Sequence, residues 1–356
     1  MVEGDILIAR TGASTGTNAI YLEGMPDAVF AYYLIRLKVT SRFISRFVYY
    51  FLQSPTYKEH IESIIGGSAQ PNANAQQLTD ISIPLFHHPE QRAITSILGS
   101  LDDKIELNQQ MNKTLEAIGK AIFKHWFLDF EFPNEEGKPY KSSGGEMVES
   151  ELGEIPRGWR TASIGESVRV VGGTTPSTKE SEYWKNGTIN WATPKDLSSL
   201  SCSVLLNTEH RITTQGLQQI SSGLLPKGTV LLSSRAPIGY LAITEILLAI
   251  NQGFIAMVCD RELPNHYVIN WVRVNLELIK SFANGTTFLE INKTSFRPIK
   301  VAIPPRNVLQ QYLVIIESFH EKVISNLRES IILTSFREYL LPKLMSGKIR
   351  VPVEVR

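Results

Sequence analysis

The feature of this chain that most limits its possible folds is an internal repeat. Gly4–Arg10 and Gly228–Arg235 each contain a turn glycine, a short apolar strand and an arginine just past the strand end. Farther along, Ile81–Pro84 and Val301–Pro304 are similar short strands, and a long helical pattern follows each. Self-similarity at a nearly constant spacing is typical of one structural unit that occurs twice. We therefore expect two related domains.

The two copies differ in how much precedes the repeated strand. In the second copy, about 70 residues beginning at Pro156 come before Gly228, whereas the first copy has almost nothing before Gly4. We expect the first domain to be N-terminally truncated relative to the second. The segment from Gly4 to Val39 would then lack partner strands and expose apolar sheet edges.

The two helical patterns are long and amphipathic, with apolar residues at three- and four-residue spacing. Residues 89–132 contain no proline after Pro89, and about 40 helical residues at 1.5 Å each correspond to roughly 60 Å. Two such apolar stripes favour an intramolecular coiled coil, in which Asn108 and Asn112 would lie near the seam and fix its register. The alternative, that each helix only covers its own domain, is disfavoured by this length, because globular helices average about a dozen residues.

The predicted fold class is α+β, with two α/β-mixed domains separated by two long helices that form an intramolecular coiled coil. The segment from Pro133 to Glu146 is rich in polar residues, glycine and serine, which indicates a linker. The boundaries are residues 1–88 for a partial first domain, 89–132 for the first helix, 133–155 for the linker, 156–306 for the second domain, 307–346 for the second helix and 347–356 for the tail.

Motifs for catalysis or metal binding are weak. The two cysteines, Cys202 and Cys259, exclude a disulfide scaffold and a multi-cysteine zinc site. The seven histidines have no metal-ligand spacing, and no glycine-rich loop ends in a phosphate-binding lysine. One enzymatic alternative is a nuclease that uses Asp129 and Glu136, although Glu136 falls in the predicted linker. No apolar run reaches the roughly 18 residues of a membrane span, and no signal peptide is evident, so we expect a cytoplasmic protein.

Charge and polar loops point to binding. The whole chain carries a net charge of only +1, but residues 156–306 contain 16 Lys and Arg against 10 Asp and Glu. Arg, Asn and Gln suit base edges, while Lys, Ser and Thr suit phosphates. Polar residues in predicted loops are therefore candidate DNA contacts. They are Arg10, Thr11, Thr174, Thr175, Thr193, Lys195, Ser233, Ser234, Arg235, Asn251, Gln252, Asn284, Thr286 and Thr287.

Several longer phrases resemble the specificity subunit of Type I restriction–modification enzymes. Gln91–Leu98, Leu101–Asn108 and Ile122–Glu131 are similar to that family's central conserved region. Leu341–Val351 resembles its distal conserved region, and Gly153–Trp159 resembles the phrase that opens each target recognition domain. The likeness covers nearly the whole chain.

The resemblance implies a reader of double-stranded DNA that performs no chemistry itself. Family members place two target recognition domains at opposite ends of an antiparallel pair of long helices, and each domain reads one half of a bipartite target. Two modification subunits would bring S-adenosylmethionine for adenine methylation, and restriction subunits would bring ATP-driven translocation and Mg²⁺-dependent cleavage. No cofactor is expected on this chain. The outer helix faces become candidate docking surfaces, including Lys104, Glu106, Lys113, Lys322 and Arg328.

The truncation leaves one further alternative open. A chain with an incomplete first domain could be a remnant that holds modification subunits together without reading a bipartite site. Loss of salt-sensitive DNA binding in the assembled complex would favour this scaffold over a working specificity subunit.

Overall fold

The structure is a computed structural model that describes residues 1–66, 71–235, 237–284 and 289–352. It divides into two compact units, of which the first is Met1–Asn108 with Leu327–Arg356 and the second is Gln109–Asn326. Both units combine helices with small sheets, so the α+β class predicted from the sequence is confirmed.

The first unit is built around a sheet in which β1 lies between β2 and β3 and is antiparallel to both. Its elements are β1 (Ile6–Ala9), β2 (Asn18–Ile20), β3 (Leu34–Leu37), α1 (Ser45–Phe51), α2 (Pro55–Ile65), α3 (Ala75–Thr79) and the first part of α4 (His88–Phe127). Ile6 and Ile8, which alternate along β1, are fully buried in one core with Phe47 and Phe51 of α1. The period of two that a half-buried strand requires is thus met.

The second unit contains a sheet with the strand order β7-β14-β11-β12-β9 and a smaller one with the order β10-β8-β13. Its elements after α4 are β4 (Met147–Ser150), β5 (Gly153–Pro156), β6 (Arg160–Ser163), α5 (Ile164–Ser167), β7 (Arg169–Gly172), β8 (Ile189–Ala192), α6 (Pro194–Ser198), β9 (Val204–Leu205), β10 (His210–Ile212), α7 (Thr214–Gln218), β11 (Val230–Ser234), β12 (Ile238–Thr244), β13 (Leu248–Ile250), β14 (Phe254–Val258), α8 (Asn265–Val274), α9 (Leu276–Ser281), α10 (Lys293–Phe296), β15 (Lys300–Ile303) and α11 (Arg306–Met345), whose second part belongs to the first unit.

The internal repeat is confirmed by the strand pairing. In the first unit, β1 has β2 on one side and β3 on the other; in the second, β11 has β12 and β14 in the same places. Ile6 pairs with Ile20 and Leu37, and Val230, its counterpart in β11, pairs with Ile243 and Met257. The two sheets therefore share order, direction and register. The second sheet continues further, with β9 beside β12 and β7 beside β14.

One predicted strand is absent from the first unit. Ile81–Ile83 has no strand structure, although its counterpart in the second copy is β15. β15 pairs antiparallel with β6, which belongs to the segment for which the first copy has no counterpart in this sequence. A short strand is held in place by its ladder to a neighbour, so Ile81–Ile83 lacks the partner that makes the equivalent segment a strand.

The segment predicted as a linker is a folded part of the second unit. Residues 147–156 form the antiparallel hairpin of β4 and β5, which the composition of the segment did not reveal. Tyr140 stacks on Phe132 with ring centroids 4.6 Å apart, and Phe132 in turn packs on Trp159. The first helix ends at Phe127 rather than at residue 132, and Phe130 adopts a left-handed conformation with φ of 60° just beyond it.

The two long helices pair antiparallel within each unit, as predicted. In the first unit, Asp102 contacts Arg337 at 2.8 Å, and Asn108 donates to Glu329 at 2.9 Å. In the second unit, Asn326 donates to Asn112 at 2.8 Å, and farther along α4 the ring of Phe123 lies 6.1 Å from that of Tyr312. Partner numbers fall as α4 numbers rise, which defines the antiparallel direction.

The predicted position of the two asparagines is also confirmed. Asn108 is 0% exposed and Asn112 is 2% exposed, and each is hydrogen bonded to α11. Buried amides at a helix seam favour the register in which they meet a polar partner, because any other register leaves them among apolar side chains.

We expect Asn112→Leu to lower the free energy of unfolding of the second unit by about 1–3 kcal/mol, because it removes the acceptor of the buried Asn326 amide. The double variant N112L/N326L should recover most of this loss, since both polar groups are then gone. Urea unfolding can be followed by tryptophan fluorescence, because all five tryptophans lie between residues 109 and 326. A single variant as stable as the parent would contradict this role for the pair.

Candidate nucleic-acid interface

Several strand ends of the second unit meet at one edge, which we call the loop edge. It comprises residues 173–176, 193–195, 235, 251–253, 284, 289, 290 and 293. The backbone N–H of Thr174, after β7, donates to the carbonyl of Ile250 at the end of β13, with a distance of 3.1 Å. Asn251 donates to Ala192 at the end of β8 at 3.0 Å, and Ser234 at the end of β11 donates to Gly253 at 2.8 Å. These bonds bring loops from four strand ends together.

Gly173 makes the close approach of two of these loops possible. A Cβ at this position would lie 1.9 Å from the carbonyl oxygen of Ile250 and 2.4 Å from that of Asn251. Any side chain would therefore separate the loop after β7 from the loop after β13. The neighbouring Thr174 is exposed, and the hydroxyl of Thr175 donates to the side-chain oxygen of the exposed Gln252. Thr174, Thr175 and Gln252 thus form one polar group on the loop edge.

Other predicted contacts mainly hold the loops in shape. The Thr193 hydroxyl donates to Asp196 at 2.9 Å, and the Thr193 backbone N–H donates to the same oxygen at 2.7 Å, which caps α6. The side-chain oxygen of Asn251 accepts from the Gly253 N–H at 2.8 Å and fixes the turn into β14. These hydroxyl and amide groups are already engaged within the protein.

Two predicted DNA contacts are wrong because their side chains are buried. Ser233 is 0% exposed and Ser234 is 2% exposed. The Ser233 hydroxyl donates to Pro237 at 2.7 Å and accepts from the N–H groups of Gly239 and Tyr240, so it organises the turn between β11 and β12. Neither serine can reach a phosphate or a base. Thr286 and Thr287 lie outside the described residues.

Lys195 and Arg235 at the loop edge lie beside carboxylates. Lys195 Nζ is 2.9 Å from Glu209, and this contact raises the pKa of Lys195 and lowers the pKa of Glu209. Arg235 lies 3.7 Å from Glu290. Glu290 was not predicted, because its position beside Arg235 depends on a cross-strand bridge. Lys293 was also missed: it is exposed, and its Nζ lies 3.4 Å from where a Cβ of Gly172 would be.

The two predicted arginines of the repeat are not equivalent. Arg10 donates its N–H to Tyr33 and its carbonyl accepts from Ala73; in the second unit Ser234 makes the matching pair of bonds. The counterpart of Arg235 is therefore Thr11, one residue later, and neighbouring strand residues face opposite sides. The strand-end alignment was wrong by one residue, because it matched the two arginines by identity.

The predicted docking residues lie along the long helices. In the first unit, Glu106 and Arg328 are exposed, while Lys104 is half-buried and forms an ion pair with Glu329 at 3.3 Å. In the second unit, Lys113 and Lys322 are exposed. Their role as docking residues stays a prediction.

The carboxylates of the nuclease alternative are each paired with a lysine. Asp129 lies 3.3 Å from Lys124, and Glu136 lies 2.8 Å from Lys138. Across the described ranges, no group of three His, Cys, Asp or Glu side chains is placed to hold a metal ion.

In the same ranges, no helix combines the length and apolar character needed to cross a membrane. Trp191 is buried, and the ring of Trp184 packs edge-to-face against it with ring centroids 5.0 Å apart.

Comparison with known proteins gives a consistent result. A family model described as the Type I restriction modification DNA specificity domain matches residues 1–117 and 156–332. The chain is 29% identical over 317 residues to the Type I restriction enzyme MjaIX specificity subunit of Methanocaldococcus jannaschii, covering 86% of this chain and 70% of that protein. It is 23% identical over 331 residues to the HindI specificity subunit of Haemophilus influenzae, covering 78% and 71%.

A solved structure shares the fold. The Type-I restriction-modification system S subunit from M. genitalium aligns with a TM-score of 0.55 at 17% sequence identity, covering 97% of this chain and 83% of that one.

Proposed function

This chain belongs to the family of Type I restriction–modification DNA specificity subunits, and we propose that it recognises DNA through the loop edge of its second unit. As a member of this family it is the DNA-recognition subunit of a restriction–modification complex. The proposal concerns which surface reads DNA, what the target is and which subunits carry out the chemistry.

The convergence of strand-end loops on one edge is the observation that carries the proposal. The segments that follow β7, β8, β11 and β13 present Thr174, Lys195 (in the first turn of α6), Arg235 and Gln252 on one surface, and none of the four is buried. The domain behind them has 16 Lys and Arg against 10 Asp and Glu. A basic domain that displays amide, hydroxyl and guanidinium groups suits a duplex, which offers phosphates and base edges together.

The side chains of the loop edge suit different parts of a DNA duplex. Lys195 and Lys293 are point charges suited to phosphate, whereas Gln252 and Arg235 have the planar donor geometry that base edges require. The chain itself would be non-catalytic and would act in the cytoplasm. Two modification subunits would supply S-adenosylmethionine-dependent adenine methylation, and restriction subunits would supply ATP- and Mg²⁺-dependent cleavage. Lys104, Glu106, Lys113, Lys322 and Arg328 are the proposed docking residues for these partners.

The test is to map adenine methylation in cells that carry this chain with its modification subunit, against cells that lack the chain. We expect a bipartite motif that appears only when the chain is present. A combined Thr174→Ala, Gln252→Ala and Lys293→Ala variant should abolish the motif while the subunits still copurify. The matched control Arg169→Ala changes a surface cation at the opposite end of β7 and should keep the motif.

Three outcomes would count against all or part of this proposal. A motif that survives the triple substitution would show that the loop edge does not read DNA. A complex that assembles but produces no motif would identify the chain as a scaffold without a reading function. A symmetric motif would indicate that two copies read through the second unit, and would contradict the bipartite part.

A further inference from the structure

One cross-strand position recurs in both units. In the second unit Arg235 and Glu290 form an isolated antiparallel bridge just past β11, and in the first unit Thr11 and Asn72 form one just past β1. The flanking bonds match: Ile291 donates its N–H to Ser234 at 3.0 Å, and Ala73 donates to Arg10 at 2.9 Å. The two pairs therefore occupy the same backbone position in two copies of one fold.

The backbones of Arg235 and Glu290 are joined in a β-bridge, whereas their side chains are partly exposed to solvent. Glu290 exchanges two backbone hydrogen bonds with Asn284, both of 2.9 Å. The guanidinium and carboxylate lie 3.7 Å apart, and the side chains are 36% and 45% exposed. An ion pair exposed to this degree contributes little to stability. Its position on the loop edge instead leaves a donor group and an acceptor group side by side, facing solvent.

A G·C base pair is the complement of such a pair of groups. In the major groove guanine offers the acceptors O6 and N7, which match arginine, and cytosine offers an N4 amino donor, which matches a carboxylate. We propose that Arg235 and Glu290 together read one G·C base pair of the target, with Arg235 on guanine and Glu290 on cytosine. This inference rests on the proposed function and names the base pair that one part of the loop edge selects.

The first unit presents different chemistry at the same place. Asn72 is exposed and Thr11 is half-buried. An asparagine amide pairs with N6 and N7 of adenine, and a threonine methyl contacts the thymine methyl group. By the same rule, this pair suits A·T. The two copies therefore suggest a substitution test: placing threonine and asparagine, the first unit's pair, at positions 235 and 290 should change the base pair that is preferred there.

The experiment uses the full chain assembled with its modification subunits and selects bound duplexes from a randomised pool. Arg235→Lys keeps the charge but loses the two-pronged donor, and Glu290→Gln keeps the shape but gains an amino group. Each should reduce the preference for G·C at one motif position by about tenfold or more, which corresponds to about 1.4 kcal/mol or more. Other positions should be unchanged, and R235T/E290N should shift that one position toward A·T.

Arg169 provides the matched control. It forms an ion pair with Asp260 at 3.0 Å at the opposite end of the same sheet, and the exposed fractions of that pair, 44% and 46%, are similar. Arg169→Lys should leave every motif position unchanged. Thermal unfolding of each variant, measured beside the selection, checks that the substituted chains are folded.

The outcomes separate this inference from the proposed function. An unchanged motif in Arg235→Lys and Glu290→Gln, or equal weakening on all sequences, would overturn the base-pair assignment while the loop edge remained the reader. A parent complex that enriches no motif would overturn the proposed function itself, and the assignment with it.

Discussion

Replacing Phe127 with alanine is expected to lower the free energy of unfolding of the second unit by about 3–5 kcal/mol, the usual cost of truncating a buried phenylalanine. Phe127 is the last residue of α4 and is 5% exposed. Its ring centroid lies 4.9 Å from that of Tyr267 in α8 and 4.9 Å from that of Tyr312 in α11, both in edge-to-face geometry. Trp159, just before β6, lies 5.9 Å away.

The loss of stability should be large because Phe127 contacts rings from several separate elements. None of these rings can move into the cavity left by the substitution without losing its own packing contacts. Urea unfolding followed by tryptophan fluorescence measures the effect in the second unit alone. Val314→Ala is the control, since Val314 is 73% exposed on α11 and its truncation should change stability by less than about 0.5 kcal/mol. A loss below about 1 kcal/mol for Phe127→Ala would show that this cluster does not secure the unit.

Acidification from pH 7 to pH 4.5 is expected to cost the second unit about 2–3 kcal/mol through His266. Burial, together with the nearby His320 ring 4.6 Å away, lowers the pKa of His266 to about 4. An unfolded histidine has a pKa near 6.5. Between these two values the unfolded chain binds a proton that the folded chain does not. Stability is therefore full above about pH 6.5 and falls as the pH drops toward 4.

Glu245 acts in the same direction at lower pH. Burial tends to raise its pKa, but hydrogen bonds with Lys227 and His320 outweigh burial and hold that pKa below its ordinary value. Its contribution is present above the unfolded pKa and is lost as pH falls through the folded value. The measurement is urea unfolding at a series of pH values for the parent and for His266→Asn. If the free energy of unfolding falls equally steeply between pH 6.5 and pH 4.5 in the two proteins, His266 is excluded as the source of the lost stability.

The repeat and the helix periodicity predicted the larger features of the fold. β1 and β11 share partners and register, and the asparagines of α4 lie at the seam, because both features depend on local patterns. The hairpin of β4 and β5 was missed because its segment is polar and rich in glycine. Its order comes partly from Tyr140 stacking on Phe132, a contact that composition does not show.

The candidate site was predicted only in outline. The loops at the ends of β7, β8, β11 and β13 were identified, but the sequence could not distinguish exposed polar groups from those that hold a turn. Ser233 and Ser234 were predicted to be solvent-facing donors, but both are buried. Glu290 is 55 positions after Arg235 and becomes relevant only through a backbone bridge. Cross-strand neighbours of this kind require the pairing register, which a single sequence does not contain.

The residues within β11 and the residue just past its end have different roles. Val230, Leu231 and Leu232 are fully buried and stabilise the core, whereas Arg235, just past the strand end, is open to solvent. Substitutions at Arg235 are therefore expected to leave the stability of the fold nearly unchanged, whereas Val230, Leu231 and Leu232 are constrained by packing. Under the proposed function, exchanging a few exposed side chains at the loop edge would change the DNA sequence that is recognised and leave the core as it is.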